Sequence, residues 1–293
     1  MSSKLVVWWV LLRPFAVLGI VPPLLLGFLL APSYDIRSFI LSFAGTTAIL
    51  FGTHLHNAVS DYVRGIDKGE TAKAYTSASA ILPRGLATLS EVKAATVLCY
   101  LLGILIFGVL SIIRTPLCLI PLAIGLFCGI SYNEFGKYKG LGELDLGLAF
   151  GLGCVLAGYV PAAKSISLAP VLVSFIPGSL WDAFYVIDQY QDINFDKRLG
   201  IRNLAITLSG YNFPISRYVE FIFFIVLISH LFFILINLLP PSTFTALFAA
   251  PLMFLSILTC EAGDYRRGAV YLILTFGFYV LILDLALLWE VMM

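Results

Sequence analysis

The chain has 293 residues, of which 60% are hydrophobic and only 12% are charged, with a formal net charge of +1 at pH 7. Soluble globular domains carry about a quarter of their residues as charged side chains, so this composition excludes an ordinary soluble domain. The mean hydropathy of +0.98 is typical of a multi-pass membrane protein that sits in a lipid bilayer. Neither charge nor motifs predict a nucleic-acid partner or an obligate protein partner.

Nine stretches are apolar and long enough to cross a bilayer as helices, which takes about 20 residues each. They lie at about 6–30, 36–58, 94–113, 116–132, 143–162, 169–190, 217–237, 242–260 and 269–290. These stretches nearly exhaust the chain, which predicts a single all-α transmembrane domain over residues 1–293. Spans two and six each end in an acidic cluster followed by basic residues. This similarity favours two four-helix halves plus one extra helix.

The positions of lysine and arginine predict the orientation, because these residues are retained on the cytoplasmic side of short loops. With a cytoplasmic N-terminus, 15 of the 18 basic residues fall on the cytoplasmic side. The other side then holds only Arg37, Arg114 and Lys164. The split predicts a cell-membrane protein with its N-terminus in the cytoplasm and its C-terminus outside.

The first acidic stretch follows the second span and reads NAVSDYVRGID, from Asn57 to Asp67. Residues four apart share one face of a helix, so Asn57 and Asp61 are expected to point together. Gly65 is expected to end this helix, which leaves Asp67 on the loop side. The long polar segment that follows, up to Lys93, favours a lid or a substrate clamp, since loops of that length are usually functional or disordered.

The second acidic stretch follows the sixth span and places Asp188, Asp192 and Asp196 four residues apart. On one continuous helix these three carboxylates would share a face over two turns. Between the two stretches, the fourth span ends at Tyr132 and leads into a loop rich in glycine and lysine that contains Lys139.

The two stretches hold five of the 17 acidic residues, and orientation brings both to the same side of the membrane. Converging carboxylates repel one another at reduced dielectric, so they require a strong counter-charge. Oxygen ligands favour Mg²⁺ or Ca²⁺, and Mg²⁺ is commonly held by a few carboxylates plus phosphate oxygens. Interleaved basic residues fit a polyanion better than a bare cation; these are Arg64, Lys68, Lys139, Lys197 and Arg198. The pattern predicts a diphosphate bridged by metal ions to both acidic stretches. In the alternative interpretation, these acids are solvated loop residues that pair with adjacent lysine and arginine.

Other polar residues of the spans have simpler interpretations. His54 and His56 lie on different helix faces and His230 is isolated, so packing is favoured over metal binding. The five cysteines fall singly within spans and are interpreted as apolar packing residues. Asp182 and Asp284 lie inside spans, where an ionisable residue is a functional candidate by default.

These residues resemble the UbiA superfamily of intramembrane prenyltransferases. The first stretch reads Asn57-xxx-Asp61-xxxxx-Asp67 and ends in Arg64-Gly65-Ile66-Asp67, which is most similar to the MenA-type branch. The second resembles the same branch, and its matching residues are Asp192, Asp196, Gly200, Leu204 and Ala205. Tyr132 and Lys139 resemble the family's tyrosine and lysine segment before helix five.

The resemblance implies a bundle of about nine helices that transfers an isoprenyl group to an aromatic quinone precursor, 1,4-dihydroxy-2-naphthoate-like or 4-hydroxybenzoate-like. The implied Mg²⁺ ligands are Asn57, Asp61, Asp67, Asp188, Asp192 and Asp196. The implied contacts to the isoprenyl diphosphate are Asn57, Arg64, Lys68, Lys139 and Arg198. The implied catalytic residues are Asp61, Asp192, Lys139 and Tyr132. Cytoplasmic loops at about 59–93, 133–142 and 191–216 are expected to cap this site.

Two alternatives remain open from the sequence. The motifs describe the prenyl donor and not the acceptor, so transfer to a glycerol-phosphate lipid precursor fits them equally well. A cation-coupled transporter would place its acids near the bilayer midplane on broken helices. Here the acids cluster at the predicted cytoplasmic ends of the spans, which favours the enzyme.

Overall fold

The structure, a computed structural model, describes residues 4–66 and 78–293. Over these two ranges the chain forms helices and no strands, and nine of the helices are long and apolar enough to cross a membrane. They are α1 Lys4–Leu29, α2 Ile36–Val63, α3 Leu89–Ile113, α4 Pro116–Lys139, α5 Gly142–Ala163, α6 Leu168–Gln191, α7 Ile215–Leu235, α8 Pro241–Glu261 and α9 Tyr265–Met292. The predicted all-α class and the nine spans are confirmed. The single domain and its division into two halves stay predictions.

Several helix starts are set by local hydrogen bonds. Asp35 caps α2 by accepting a hydrogen bond from the Arg37 backbone N–H at 3.1 Å. Thr88 and Glu91 form a capping box at the start of α3, in which each side chain accepts from the other residue's backbone N–H. These caps satisfy donors that the first turn of a helix leaves without an intrahelical partner.

Helix α1 is interrupted at Arg13. This residue has a left-handed backbone with φ of 51°, and Pro14 follows it. Proline has no N–H to continue the helical hydrogen bonds, so the chain changes direction before the second part of α1 begins. The first part packs in a cluster with the end of α2 and with the segment before α3, through Val7, Leu11, Leu55, Val59, Ile81 and Leu82.

The second part of α1 lies unusually close to α5. A Cβ added to Gly27 would lie 1.9 Å from the Val155 carbonyl oxygen, and one added to Gly158 would lie 1.9 Å from the Leu24 carbonyl oxygen. Small residues allow membrane helices to approach at this distance, where packing rather than the hydrophobic effect holds them together. This contact joins the beginning of the chain to its middle.

Helix α6 is held in the interior by aromatic packing. Trp181 stacks on Phe150 of α5, with ring centroids 3.8 Å apart, and meets Phe276 of α9 edge-on at 5.1 Å. Offset-stacked and edge-to-face arrangements are the favourable geometries for aromatic pairs. The position of α6 between α5 and α9 fixes where its acidic end lies.

The helix ends at the predicted site extend further than hydropathy indicates. Helix α2 continues to Val63 and α4 to Lys139, whereas the predicted spans end at residues 58 and 132. The segment 133–139, predicted as loop, is therefore helical, while α2 ends just before Gly65, as the first acidic stretch predicts. Hydropathy detects the part of a helix that faces lipid, and these added turns are polar.

Candidate active site

Asp61 lies in the last turns of α2 and is only 8% exposed. Both of its carboxylate oxygens accept hydrogen bonds from Lys137 Nζ at 2.6 Å, and Tyr138 Oη donates to Oδ1 at 2.8 Å. A buried carboxylate requires such partners, because desolvation of an unpaired charge is costly. Lys137 therefore neutralises Asp61.

The final turns of α4 explain why Lys137, and not the predicted Lys139, meets Asp61. Residues Tyr132–Gly136 form a π-helical turn, and Gly140 ends the helix with φ of 78°. A π-helical turn contains an extra residue and so rotates every side chain that follows it. Lys137 and Tyr138 then face α2, while Lys139 is exposed. Sequence reasoning missed Lys137 because a π-helical turn leaves no trace in hydrophobic periodicity.

Arg64 lies beside this pair at the end of α2. Its guanidinium donates to the Glu134 carbonyl oxygen at 2.6 Å and stacks 4.5 Å from the centroid of the Tyr138 ring. Glu134 also accepts from His56 Nε2 at 2.8 Å, which gives His56 a structural partner. Arg64, a predicted contact of the diphosphate, thus forms an ion pair with Glu134 and reaches Asp61 through Tyr138.

The second acidic stretch does not form one continuous helix, so the prediction of a two-turn carboxylate stripe is wrong. Helix α6 ends at Gln191, Asp192 adopts φ of −103° and ψ of 9°, and a new short helix covers Ile193–Arg198. Spacing by four defines a common face only where the helix axis continues. Asp188 and Asp196 thus belong to different helices that meet at Asp192.

Asp196 connects the two acidic stretches. Asn203 Nδ2 donates to its Oδ2 at 2.8 Å. Burial raises the pKa of the Asp196 carboxyl to about 6, with a further rise from the negative charges of Asp192 and Asp61, while Lys137 and Asn203 act in the opposite direction. Asp61 comes from α2 and Asp196 follows α6, so the two stretches come close enough for the charge of Asp61 to act on the Asp196 carboxyl.

Arg13 is a further residue of this site that sequence reasoning did not select. The positive charge of Arg13 acts on Asp188, on Tyr132 and on His54, which come from three different helices. Arg13 has a left-handed backbone at the break of α1 and is half-buried. A single Arg-Pro pair inside an otherwise apolar span is the signal that could have identified it.

The remaining predicted residues lie around this centre. Tyr132 Oη is 2.6 Å from Tyr185 Oη of α6, and Asn57 is half-buried on α2 one turn before Asp61. Asp188 is exposed and accepts from Gln191 at 3.3 Å. Arg198 is exposed and its guanidinium lies 5.9 Å from the Phe195 ring centroid. Asp67 and Lys68 fall outside the described residues.

The site offers only oxygen donors and cations. Within residues 4–66 and 78–293, no group of three or more His, Cys, Asp or Glu side chains is close enough to form a preassembled metal centre. The acids interact in pairs, and Lys137 supplies the positive charge for Asp61. This arrangement suits a ligand that brings its own oxygen atoms to complete the coordination of a hard cation.

The cysteines and His230 are predicted packing residues, whereas Asp182 and Asp284 are functional candidates, and the structure gives each of them its own surroundings. All five cysteines are free thiols, and four of them are buried. His230 contacts Thr243 at 3.2 Å and Tyr279 within the bundle. Asp182 accepts a hydrogen bond from Tyr218, and neither oxygen of the buried Asp284 has a hydrogen-bond partner.

A search of known proteins finds relatives in sequence and in structure. The chain is 29% identical to 1,4-dihydroxy-2-naphthoate octaprenyltransferase of Bacillus subtilis (strain 168) over 211 residues, which cover 68% of this chain and 65% of that protein. Its fold is similar to the apo structure of a UbiA homolog from Aeropyrum pernix K1, with a TM-score of 0.73 and 17% identity over 95% of this chain and 99% of that one.

A second solved structure, a UbiA homolog from Archaeoglobus fulgidus bound to DMAPP and Mg²⁺, has a TM-score of 0.64. It is 16% identical and covers 94% of this chain and 98% of the other. At this identity the likeness concerns the fold. The family model for the UbiA prenyltransferase family matches residues 20–269, and this chain therefore belongs to that family, as its motifs indicate.

Proposed function

We propose that this protein transfers an isoprenyl group from an isoprenyl diphosphate to an aromatic quinone precursor within the membrane, with Mg²⁺ as cofactor. The observation that carries this proposal is the approach of Asp61 and Asp196, from two separate acidic stretches, beside Lys137. The naphthoate prenyltransferase relative and the homolog bound to DMAPP and Mg²⁺ support the same reaction class.

The residues that would hold Mg²⁺ share oxygen donors and a position at this end of the bundle. They are Asn57, Asp61, Asp188, Asp192 and Asp196, with Asp67 as a further predicted ligand. The site fits such a cation, because carboxylates of two segments act on one another there. Burial raises the pKa of the Asp196 carboxyl, and the negative charges of Asp192 and Asp61 raise it further. When bound, Mg²⁺ supplies Lewis-acid charge to the diphosphate oxygens.

The basic side chains of the site would stabilise the leaving diphosphate. Lys137, Arg64 and Arg13 lie next to the acids, and Lys68, Lys139 and Arg198 are predicted to approach from the rim. Fixed positive groups lower the barrier most where negative charge develops in the transition state. Here that charge develops on the diphosphate as the allylic C–O bond ionises, so these cations act on the bond-breaking step.

The apolar bundle would protect the allylic cation from water until an electron-rich carbon of the acceptor attacks it. Exclusion of water prevents such side reactions in closed sites. Tyr132, half-buried and hydrogen-bonded to Tyr185, lies where the polar end of the site meets the apolar interior. We assign the site to the cytoplasmic face, with the N-terminus inside and the C-terminus outside, from the distribution of basic residues.

The proposal is tested with purified protein, labelled isoprenyl diphosphates of several lengths, and Mg²⁺ or EDTA. The acceptors are 1,4-dihydroxy-2-naphthoate, 4-hydroxybenzoate and glycerol phosphate. We expect Mg²⁺-dependent transfer to an aromatic acceptor, and its loss in the double variant Asp61→Ala, Asp192→Ala. Product formation in detergent, where no ion gradient exists, excludes the transporter alternative.

The control is Asp264→Asn. Asp264 lies at the same end of the bundle as the site, because Tyr265 next to it and Tyr190 near the end of α6 have ring centroids 4.7 Å apart. Asp264 caps α9 and accepts from the Arg267 backbone N–H at 3.1 Å, a bond that asparagine can also accept. We expect full activity in this control. Donor binding that survives in the double variant contradicts the proposed metal site, and transfer to glycerol phosphate alone contradicts the proposed acceptor class.

A further inference from the structure

A cavity lies among α1, α2, α4 and α5 and meets the candidate active site at Tyr132. Most of its wall is apolar, with Ile20, Leu50 and Phe150 among the lining residues. Its polar lining consists of Thr46, Thr53, Cys128, Tyr132, Asp145 and Cys154. The cavity thus extends from the diphosphate end of the site into the interior of the bundle.

Asp145 is the one charged side chain among the described residues that line this cavity. It is 4% exposed, and its Oδ2 accepts a hydrogen bond from Ser131 Oγ at 2.9 Å. The backbone makes room for this carboxyl, since a Cβ added to Gly136 would lie 2.1 Å from Asp145 Oδ2. Asp145 lies in the first turn of α5, and a carboxyl buried there beside an apolar cavity is costly and calls for a functional explanation.

We infer that this cavity holds the ring of the aromatic acceptor and that Asp145 accepts a hydrogen bond from the acceptor's phenolic hydroxyl. The inference rests on the proposed prenyl transfer and specifies its second substrate. Leu50, Phe150 and Ile20 provide apolar surface for a flat ring, and the ring then lies next to Tyr132, where the allylic cation forms.

The charge of the cavity also predicts how the acceptor is oriented. An acceptor carboxylate placed next to Asp145 would be repelled, and the cavity lining has no lysine or arginine to balance it. The carboxylate therefore points toward Lys137 and Arg13 at the site, and the hydroxyl points toward Asp145. A glycerol-phosphate acceptor has no apolar ring to fill the cavity and finds no cation inside it.

The first experiment compares Asp145→Leu, which removes the acceptor oxygens at nearly the same size, with the wild type. Steady-state transfer is measured with whichever of 1,4-dihydroxy-2-naphthoate and 4-hydroxybenzoate is the substrate. We expect the KM for the acceptor to rise about tenfold, the scale of one lost hydrogen bond to a charged group. The KM for the isoprenyl diphosphate is expected to stay unchanged. Asp182→Leu is the matched control, since Asp182 is also a carboxyl within a span but pairs with Tyr218 outside this cavity.

A second measurement separates hydrogen bonding from a merely structural role. Competitive inhibition constants are measured for the acceptor and for its analogue without the hydroxyl group. The wild type should prefer the hydroxylated compound by about tenfold, and Asp145→Leu, which has no acceptor oxygen, should lose that preference. Equal weakening of both compounds in Asp145→Leu would indicate distorted structure and overturn the inference.

A third measurement uses the wild-type protein, so it remains valid even if the Asp145 variant does not fold. Cys128 and Cys154 line the cavity, whereas Cys118 and Cys260 do not. Saturating acceptor should slow the modification of the first two thiols by methyl methanethiosulfonate, as followed by peptide mass spectrometry, with no change at the other two. Absence of protection overturns the cavity assignment. Failure of the wild type to transfer to any aromatic acceptor instead overturns the proposed function itself.

Discussion

Lys137 and Lys139 are two residues apart in the sequence and have opposite surroundings. Lys137 Nζ is 2.6 Å from Asp61, and the two side chains are only 15% and 12% exposed, while Lys139 is exposed. Removal of one partner from a buried ion pair leaves an uncompensated charge, which costs about 3–5 kcal/mol. The exposed lysine has no comparable effect on folding.

The variant Lys137→Met is therefore expected to lower the free energy of unfolding by about 3 kcal/mol and to abolish donor binding. Lys139→Met is the matched control for stability alone, with a change in the free energy of unfolding within about 0.5 kcal/mol. Unfolding in detergent and binding of labelled isoprenyl diphosphate measure both effects. Adding Asp61→Asn to Lys137→Met should restore part of the stability but not the binding, and no restoration would speak against the buried pair.

Asp35 lies at the other end of the bundle, and the contacts of its carboxyl predict that stability depends on pH. The hydrogen bond from Ser38 at 2.8 Å lowers the pKa of the Asp35 carboxyl, and the Arg114 guanidinium at 2.9 Å acts in the same direction. A carboxyl with a lower pKa in the folded state stabilises that state above its unfolded pKa of about 4. This stabilisation is lost as the pH falls through the folded-state pKa.

We expect Asp35→Asn to destabilise the protein at pH 7 and to be close to neutral well below pH 4. Thermal unfolding of wild type and variant in the same detergent at the two pH values measures the difference. Arg37→Gln is the control, because the Arg37 contact to Asp35 is through its backbone N–H. An equal destabilisation by Asp35→Asn at both pH values would show that the charge of Asp35 plays no part.

The chemistry of the site could be predicted from the sequence, but the exact partners could not. Asp61, Asp192 and Asp196 stand out because acids are rare in apolar chains and these lie at span ends. The pairing of Asp61 with Lys137 depends on a π-helical turn, and the break at Asp192 depends on tertiary placement of the following short helix. Hydrophobic periodicity carries information on neither feature.

At the scale of elements, the contact between α1 and α5 leaves the least space for a larger side chain. Gly27 and Gly158 each face a backbone carbonyl oxygen of the opposite helix, so even a methyl group must push the helices apart. Overpacking of a tight interior typically costs about 1–3 kcal/mol. Because backbone lies opposite, no side chain can move aside.

Gly158→Ala is expected to lower the stability of the folded bundle by about 2 kcal/mol or more. Gly277→Ala in α9 is the control, since nothing lies within 4 Å of an added Cβ there, and alanine favours a helix over glycine by about 1 kcal/mol. The stability of each variant is measured by heating it in detergent and determining, by size-exclusion chromatography, how much folded protein remains at each temperature. A neutral Gly158→Ala would mean that the two helices separate easily.

At the scale of the whole molecule, the number of spans could be predicted because hydropathy is a local property of each segment. The neighbours of each span could not, since all nine present similar apolar surfaces. The contacts of α1 with α5 and of α6 with α9 depend on small residues and aromatic rings whose partners are far away in sequence. The sequence predicts that both acidic stretches lie on one side of the membrane. It does not predict which of their side chains come close to each other.

The break of α1 at Arg13 separates two parts of that helix that pack against different neighbours. Its second part is fastened to α5 through Gly27 and Gly158, whereas its first part packs on Ile81 and Leu82, in the segment that leads into α3. Arg13, whose charge acts on Asp188, therefore lies between the part of α1 that packs against α5 and the part that packs against the segment before α3.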